Sequence, residues 1–521
     1  IRLTLFVKMV EETKVRQDGA PNPEVQRRRA SVITDMFVRA HISDAYKENK
    51  IRPTVLVVKF YLKDSNPDSA RIKDAIYDKV TMHDRFRAIF RMEGGCAVWD
   101  SIPKEKMDMK YHFTVMDGQG TYDTASVNDV TAKMNSEVWD ATKPLWKVTL
   151  ISNMKEGGSL LLWKIDHSIG DGVALTSVLL SLLDEPKGSL KRFKSLESRR
   201  LESPNLRWSH KVTAFLFGCY FGTLGWALIK RDPDNGLKIP NNRCVTQSTG
   251  KDSLYTKSFS VDEIKRIKGN LAGTSINDIL MAIITIGVRR YYERTNDSVL
   301  DSINRRKNNI SATFMANVRK IAAVDKAIEE MGNHFITGYF ILPLLFKNAL
   351  DAVWRCKSYS DSLKVSPAFV LQFHVAGGIC QRLPESALVY AAVDNPKNFT
   401  IALSSVKGPQ YESSICGYVL DDLSYAGVVN FGLNIGFVSY NGKAKINVTA
   451  DTLVGMDCPL FIECLEGAYD EIRDAVENAS DEELEPPDLT PLSAKLLEGA
   501  LAFSIVGAVA FLSMWLAKND A

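Results

Sequence analysis

The segment LLWKIDHSIGDGVAL, residues 161–175, constrains the fold more than any other part of the chain. SLLLWKID (159–166) reads as a strand joined by a KEGG turn to an earlier strand, LWKVTLI (145–151), and GVALTSVLLSLL (172–183) reads as a helix. A strand that turns directly into an apolar helix belongs to a layered α/β fold. The turn holds His167, one of seven histidines, between Asp166 and Asp171, with glycines at 170 and 172. Glycine lets the backbone bend tightly there, so the His167 ring can project into a cleft.

Histidine titrates near pH 6.5 and can take and return a proton near neutrality. His167 is therefore either a general base or a hydrogen-bonded structural residue. Asp171 can fold back to pair with an arginine and lock the turn, or can orient the imidazole. Spacing alone leaves both pairs of readings open. No second histidine lies close by and the usual zinc spacings are absent, so no metal site is expected. Nor does the chain carry a G-x-S-x-G elbow, a P-loop or a G-x-G-x-x-G after a strand.

At 521 residues the chain exceeds one ordinary core, and two domains are expected. Its formal charge of +3 gives no electrostatic footprint for DNA or RNA. The eight cysteines are scattered without a C-x-x-C pair, which fits a reducing environment. Residues 1–50 contain the polar run KVRQDGAPNPEVQRRR and read as an N-terminal arm. TVLVVKFYL (54–62) reads as a strand and residues 70–90 as a helix, within a first domain over 51–200. A linker region, 201–250, is followed by a second α/β domain over 251–478. That domain includes a helix over 275–294, with Ser275 as N-cap and Asp278 in its first turn.

Two stretches depart from this pattern. Residues 499–517, GALAFSIVGAVAFLSMWLA, are uncharged and just long enough, at about 1.5 Å per residue, to cross most of a bilayer core of roughly 30 Å. They read as a transmembrane tail anchor, tethered by the acidic, proline-containing linker 479–495. Residues 212–229, VTAFLFGCYFGTLGWALI, read as a membrane-contact segment that either spans or lies in the interface.

DHSIGDG resembles the H-H-x-x-x-D-G motif of coenzyme A-dependent acyltransferases. Further stretches are similar, in the same order, to the wax ester synthase/diacylglycerol acyltransferase family, especially its plant-type members: HDRFRAIF (83–90), KPLWKVTLI (143–151), SINDILMA (275–282), ANVRK (316–320), MGNHFITGYFILPL (331–344), SSVKGP (404–409) and LNIGFVSYNGKAKINVTAD (433–451). The resemblance spans roughly residues 50–475 and implies an α/β fold of two chloramphenicol-acetyltransferase-like domains facing each other across a central tunnel, with membrane-associated helices. It implies that His167 is the general base of acyl transfer from acyl-CoA, a co-substrate and not a bound cofactor, to a fatty alcohol or diacylglycerol. It gives Asp171 and Gly172 the turn, Asn277 and Asp278 a supporting place near the centre, and Pro144, Leu145 and Trp146 a place in the tunnel wall or domain core. Asp166 stands where the family usually has its first, supporting histidine. The expected partners are acyl-CoA, the lipid acceptor and the bilayer, at the endoplasmic reticulum or lipid droplets. Competing readings are an acyltransferase acting on small alcohols or amines, and a catalytically dead lipid-binding homologue.

Overall fold

The run SLLLWKID forms a strand at Ser159–Asp166, and all its residues are buried. Burial on both faces requires a central strand with cover above and below. The computed structural model describes residues 27–29, 32–42, 54–184, 206–223, 230–240, 250–317, 319, 331–372, 396–428 and 432–489. The strands that organise it are β1 (Val55–Leu62), β2 (Phe113–Asp117), β3 (Trp146–Ser152), β4 (Ser159–Asp166), β5 (Lys251–Tyr255), β6 (Ile310–Asn317), β7 (Phe335–Leu342), β8 (Ile401–Lys407), β9 (Tyr418–Val428), β10 (Leu433–Tyr440) and β11 (Lys443–Asp451).

They form two sheets. The first runs β9–β1–β4–β3–β2, extended beyond β9 by the short Ser414–Ile415 strand. Its pairs are antiparallel except β3 with β2. The second runs β7–β6–β8–β10–β11–β5, with Phe259–Ser260 also on β11. There β8 lies parallel to both β6 and β10. Sheet membership does not follow chain order: β9 comes from the second half of the sequence yet pairs along β1 from Leu420 opposite Leu62 to Val428 opposite Val55. Residues 251–478 are thus not one self-contained sheet domain. From β9, the Tyr425 hydroxyl crosses to Ser404 Oγ of β8 at 2.6 Å. A Cβ at residue 436 of β10 would meet that hydroxyl at 2.4 Å, which is why glycine stands there.

The helices that matter are α1 (Val32–Ile42), α2 (Ser69–Val80), α3 (Gly172–Ser181), α4 (Trp208–Thr223), α5 (Ile276–Arg294), α6 (Ala349–Val365) and α7 (Cys458–Glu477). In α2, Asp68 caps the N–H groups of Ala70 and Arg71, and Ile72, Ile76 and Val80 form the buried stripe. The helix expected over 70–90 ends at Val80. Ala88–Glu93 becomes a strand paired with Cys96–Ser101, because Gly94 and Gly95, both at positive φ, turn the chain back on itself. In the second half α5, α6 and α7 share a core with the second sheet, through Ile279, Ile283, Val353, Phe461, Leu465 and Ile472 among others.

The two stretches read as membrane segments are described only in part. Among the described residues no helix is long and apolar enough to cross a membrane. The described part of the 212–229 segment belongs to α4, a surface helix lying on α6. His210 Nε2 meets Ser362 Oγ at 2.7 Å, and Ala214 is buried on the same side. Trp208, Val212, Phe215 and Leu216 are exposed. Residues 224–229 and the candidate anchor 499–517 lie outside the described residues. Within the stretch read as an arm, α1 forms a helix that reaches the site described next.

Candidate active site

At the end of β4 the backbone is held from both neighbouring strands. Asp166 N–H donates to Leu145 O at 3.0 Å and His167 N–H to Thr54 O at 2.9 Å. Four residues later α3 begins, with Asp171 as its extended N-cap accepting from Ala174 N–H at 3.1 Å. Such a cap stabilises a helix start by about 1 kcal/mol. The other Asp171 oxygen, Oδ2, accepts from Arg319 Nη1 at 2.5 Å and from His334 N–H at 2.8 Å. Arg319 Nη2 and Asp171 N–H both donate to Gly332 O, at 3.0 and 3.2 Å. Of the two roles open to Asp171, the arginine pair is the one formed, and it ties the turn after β4 to the loop before β7. Both side chains are buried.

That loop also brings Asn333 to the imidazole. Asn333 Nδ2 donates to His167 O at 2.8 Å and to Thr34 Oγ1 of α1 at 3.0 Å. These two bonds orient the amide so that Oδ1 faces His167 Nδ1 at 2.9 Å. An amide oxygen only accepts, so Nδ1 carries the proton and Nε2 of the neutral ring keeps its lone pair. The ring is half-buried, with Phe37 of α1 and Phe335 of β7 at centroid distances of 4.8 and 5.6 Å. The arrangement holds one tautomer, with Nε2 available as a base.

Asp166 has partners of its own. Its Oδ1 accepts from Ser168 N–H at 2.9 Å and its Oδ2 from His41 Nε2 at 2.9 Å. Burial by itself would push the carboxyl up, but the His41 ring and the Ser168 bonds outweigh it and hold the group below its ordinary value. Pro144, Leu145 and Trp146 are buried, Leu145 and Trp146 in the first-half core. Trp146 Nε1 donates to Phe86 O at 2.7 Å and its ring stacks on His112 at 4.3 Å, while burial pushes His112 down to about 4. These residues brace the strand behind His167. Gly172 is exposed at the first turn of α3. Asn277 is exposed at the start of α5, and Asp278 is buried in a capping box with Ser275, its Oδ2 accepting from Ser275 N–H at 2.7 Å. The structure thus gathers His167 and Asp171 in one network, places Asp278 in the capping box of α5 and leaves Asn277 exposed beside it.

Sequence reasoning missed Arg319, Asn333, Thr34 and Phe37. The first two lie inside ANVRK and MGNHF, stretches that carried the family resemblance without any single residue being marked. Among the described residues, no group of three or more His, Cys, Asp or Glu could hold a metal ion.

Comparison with known proteins places this geometry. Residues 55–218 match the model of the wax ester synthase/diacylglycerol acyltransferase catalytic domain, and residues 331–473 match that of the WS/DGAT C-terminal domain. Together they cover more than half of the chain. Wax ester synthase/diacylglycerol acyltransferase 11 of Arabidopsis thaliana is 25% identical over 442 residues, 77% of this chain and 88% of its own length. Number 3 of the same plant is 25% identical over 383 residues, 67% and 75% of the two chains. Among solved structures, the wax ester synthase/diacylglycerol acyltransferase from Marinobacter aquaeolei VT8 superposes with a TM-score of 0.56 at 16% identity, covering 86% of this chain and all of its own. A trichothecene 15-O-acetyltransferase from Fusarium sporotrichioides gives 0.55 at 10% identity, covering 88% and 98%. At such identities these two likenesses establish the two-domain α/β fold alone.

Proposed function

The chain belongs to the wax ester synthase/diacylglycerol acyltransferase family, and on that premise we propose that His167 is the general base of acyl transfer from acyl-CoA to a long-chain alcohol or to diacylglycerol. The observation that carries this reading is the Asn333 Oδ1 contact at His167 Nδ1, which leaves Nε2 as the proton acceptor. Nε2 takes the hydroxyl proton as the acceptor oxygen attacks the thioester carbonyl carbon. The C–S bond then breaks, and the departing coenzyme A thiolate takes that proton back from Nε2. Both protons and electrons balance without a covalent acyl-enzyme, and no bound cofactor is invoked. General-base assistance of this kind contributes about 10²–10⁴-fold.

In this reading acyl-CoA and the acceptor approach His167 from opposite mouths of a tunnel between the two halves. Asp171, Arg319 and Gly332 hold the turn, Gly172 opens α3, and Asn277 and Asp278 serve at a distance through the start of α5. Acceptor and product are lipids, so the proposed location is a membrane surface, the cytosolic face of the endoplasmic reticulum or a lipid droplet. The exposed Trp208, Val212, Phe215 and Leu216 of α4 support contact with the bilayer.

The test is product identity. Purified protein is given labelled palmitoyl-CoA with hexadecanol and, in parallel, with diacylglycerol. Wax ester or triacylglycerol is the expected product. Transfer only to small alcohols or amines would replace the lipid acceptor, and no transfer to any acceptor would leave a lipid-binding homologue.

A further inference from the structure

One pair near the centre takes no part in the chemistry described so far. Asp166 is buried and carries a carboxylate next to the base, and its partner, His41, lies 125 residues away on α1. A carboxylate only accepts, so the proton between them sits on His41 Nε2. The helix that brings His41 is held against the Cys96–Ser101 strand region: Arg39 donates to Gly95 O at 2.6 Å and to Asp35 Oδ2 at 2.7 Å, and Asp35 Oδ1 accepts from Ala97 N–H. The same helix touches the base through Phe37 and touches Asn333 through Thr34. Three successive turns of α1 therefore contact His167, its orienting amide, and the carboxylate beside it.

We propose that His41 is a positioning residue of the acyl-transfer centre, holding the Asp166 carboxylate in the turn that aims His167, an inference that rests on His167 being the base. The link is physical. Asp166 Oδ1 caps the Ser168 N–H inside the turn that carries His167. Without a donor at Oδ2 this buried carboxylate loses a hydrogen bond and takes up a proton or leaves the site. Either change weakens the Ser168 cap, moves the end of β4 and loosens the His167 to Asn333 bond. His41 thus acts on the base through Asp166 and through no contact with substrate.

The experiment compares wild type, His41→Ala, His41→Gln, Asp166→Asn and the double variant His41→Ala/Asp166→Asn in steady-state acyl transfer from palmitoyl-CoA. His41→Ala is expected to lower kcat by about 10- to 100-fold with little change in KM, the scale of a small misplacement of a catalytic group. Glutamine places an amide N–H near the position of Nε2, so His41→Gln is expected to recover most of the rate. The double variant is expected to be no slower than the slower single variant, because both act along one path. A second readout needs no turnover: with only seven histidines, ¹⁵N-imidazole NMR resolves the ring tautomers. Wild-type His167 should show a proton on Nδ1, and His41→Ala a mixture. If wild type transfers no acyl group but this tautomer change appears, the acyltransferase reading fails while the positioning link stands. Unchanged kcat and tautomer in His41→Ala, or single-variant effects that multiply in the double variant, would overturn the inference. Should His41→Ala fail to fold, His41→Gln and Asp166→Asn carry the comparison, with a kcat loss in Asp166→Asn that His41→Gln does not share supporting the link and equal losses overturning it.

Discussion

Replacing Asn333 with leucine keeps a side chain of similar shape and removes the acceptor that faces His167 Nδ1 at 2.9 Å. A hydrogen bond of this kind between neutral partners contributes about 0.5–1.5 kcal/mol net. As Nε2 takes the substrate proton the ring becomes cationic and the same bond becomes charge-assisted, worth about 1.5–3 kcal/mol. The part gained only in the transition state, about 1–1.5 kcal/mol, lowers kcat by about 5- to 13-fold, and the lost tautomer preference adds to that loss. The two Nδ2 bonds, to His167 O and Thr34 Oγ1, disappear as well, so the upper part of that range is expected. KM for palmitoyl-CoA should change little, because Asn333 is buried against the base. Asn333→Asp supplies the complementary arm: it keeps an acceptor at Nδ1 and strengthens the bond to the imidazolium, so it should retain more activity than Asn333→Leu. The assay is the initial rate of ester formation over pH 5–9 for the three proteins. An Asn333→Leu variant that is folded yet within about two-fold of wild type would refute the tautomer argument.

Asp171→Ala leaves Arg319 buried without its carboxylate and removes the cap of α3, so unfolding should become easier by about 3–5 kcal/mol, read as the denaturant midpoint. His112 is buried against Trp146 and lowered to about 4, below its unfolded value near 6.5. The unfolded chain binds that proton first, so its contribution is intact above pH 6.5 and is lost as pH falls toward 4. The loss reaches about 3 kcal/mol, and His112→Gln should flatten this part of the stability profile measured by equilibrium denaturation. Phe215→Glu combined with Leu216→Glu on the exposed side of α4 should cut sedimentation with phospholipid vesicles while leaving soluble-substrate turnover intact, and unchanged sedimentation would move any bilayer contact elsewhere on the chain.

The part of the site that sequence made legible is local. Strand, turn and helix around His167 follow from the apolar run 159–166, the acidic N-cap Asp171 and the helix-forming stretch after it, all within one continuous segment. The N-cap at Ser275 was legible for the same reason, while the reciprocal bond to the Asp278 carboxylate appears only in the structure. What the sequence concealed depends on partners far along the chain. Asn333 is 166 residues from His167, and nothing in M-G-N-H-F marks its amide as the one that selects a tautomer. Residues 1–50 read as an arm because their composition is polar, yet α1 is fixed by contacts with a strand region some sixty residues on and with the turn after β4. The crossing of β9 into the first sheet was equally hidden, since strand pairing is chosen by tertiary register and not by the residues of one strand. Asp166 was visible as a departure from the family motif, but its meaning required seeing His41 beside it.

The central claim is that the Nε2 of His167 moves the proton of acyl transfer. It is tested most directly by comparing wild type with His167→Ala, both confirmed folded, in ester formation from labelled palmitoyl-CoA with hexadecanol and with diacylglycerol. The account predicts ester with at least one acceptor and a loss of about 10²-fold or more in the variant. Ester formation at wild-type rate by His167→Ala would contradict it.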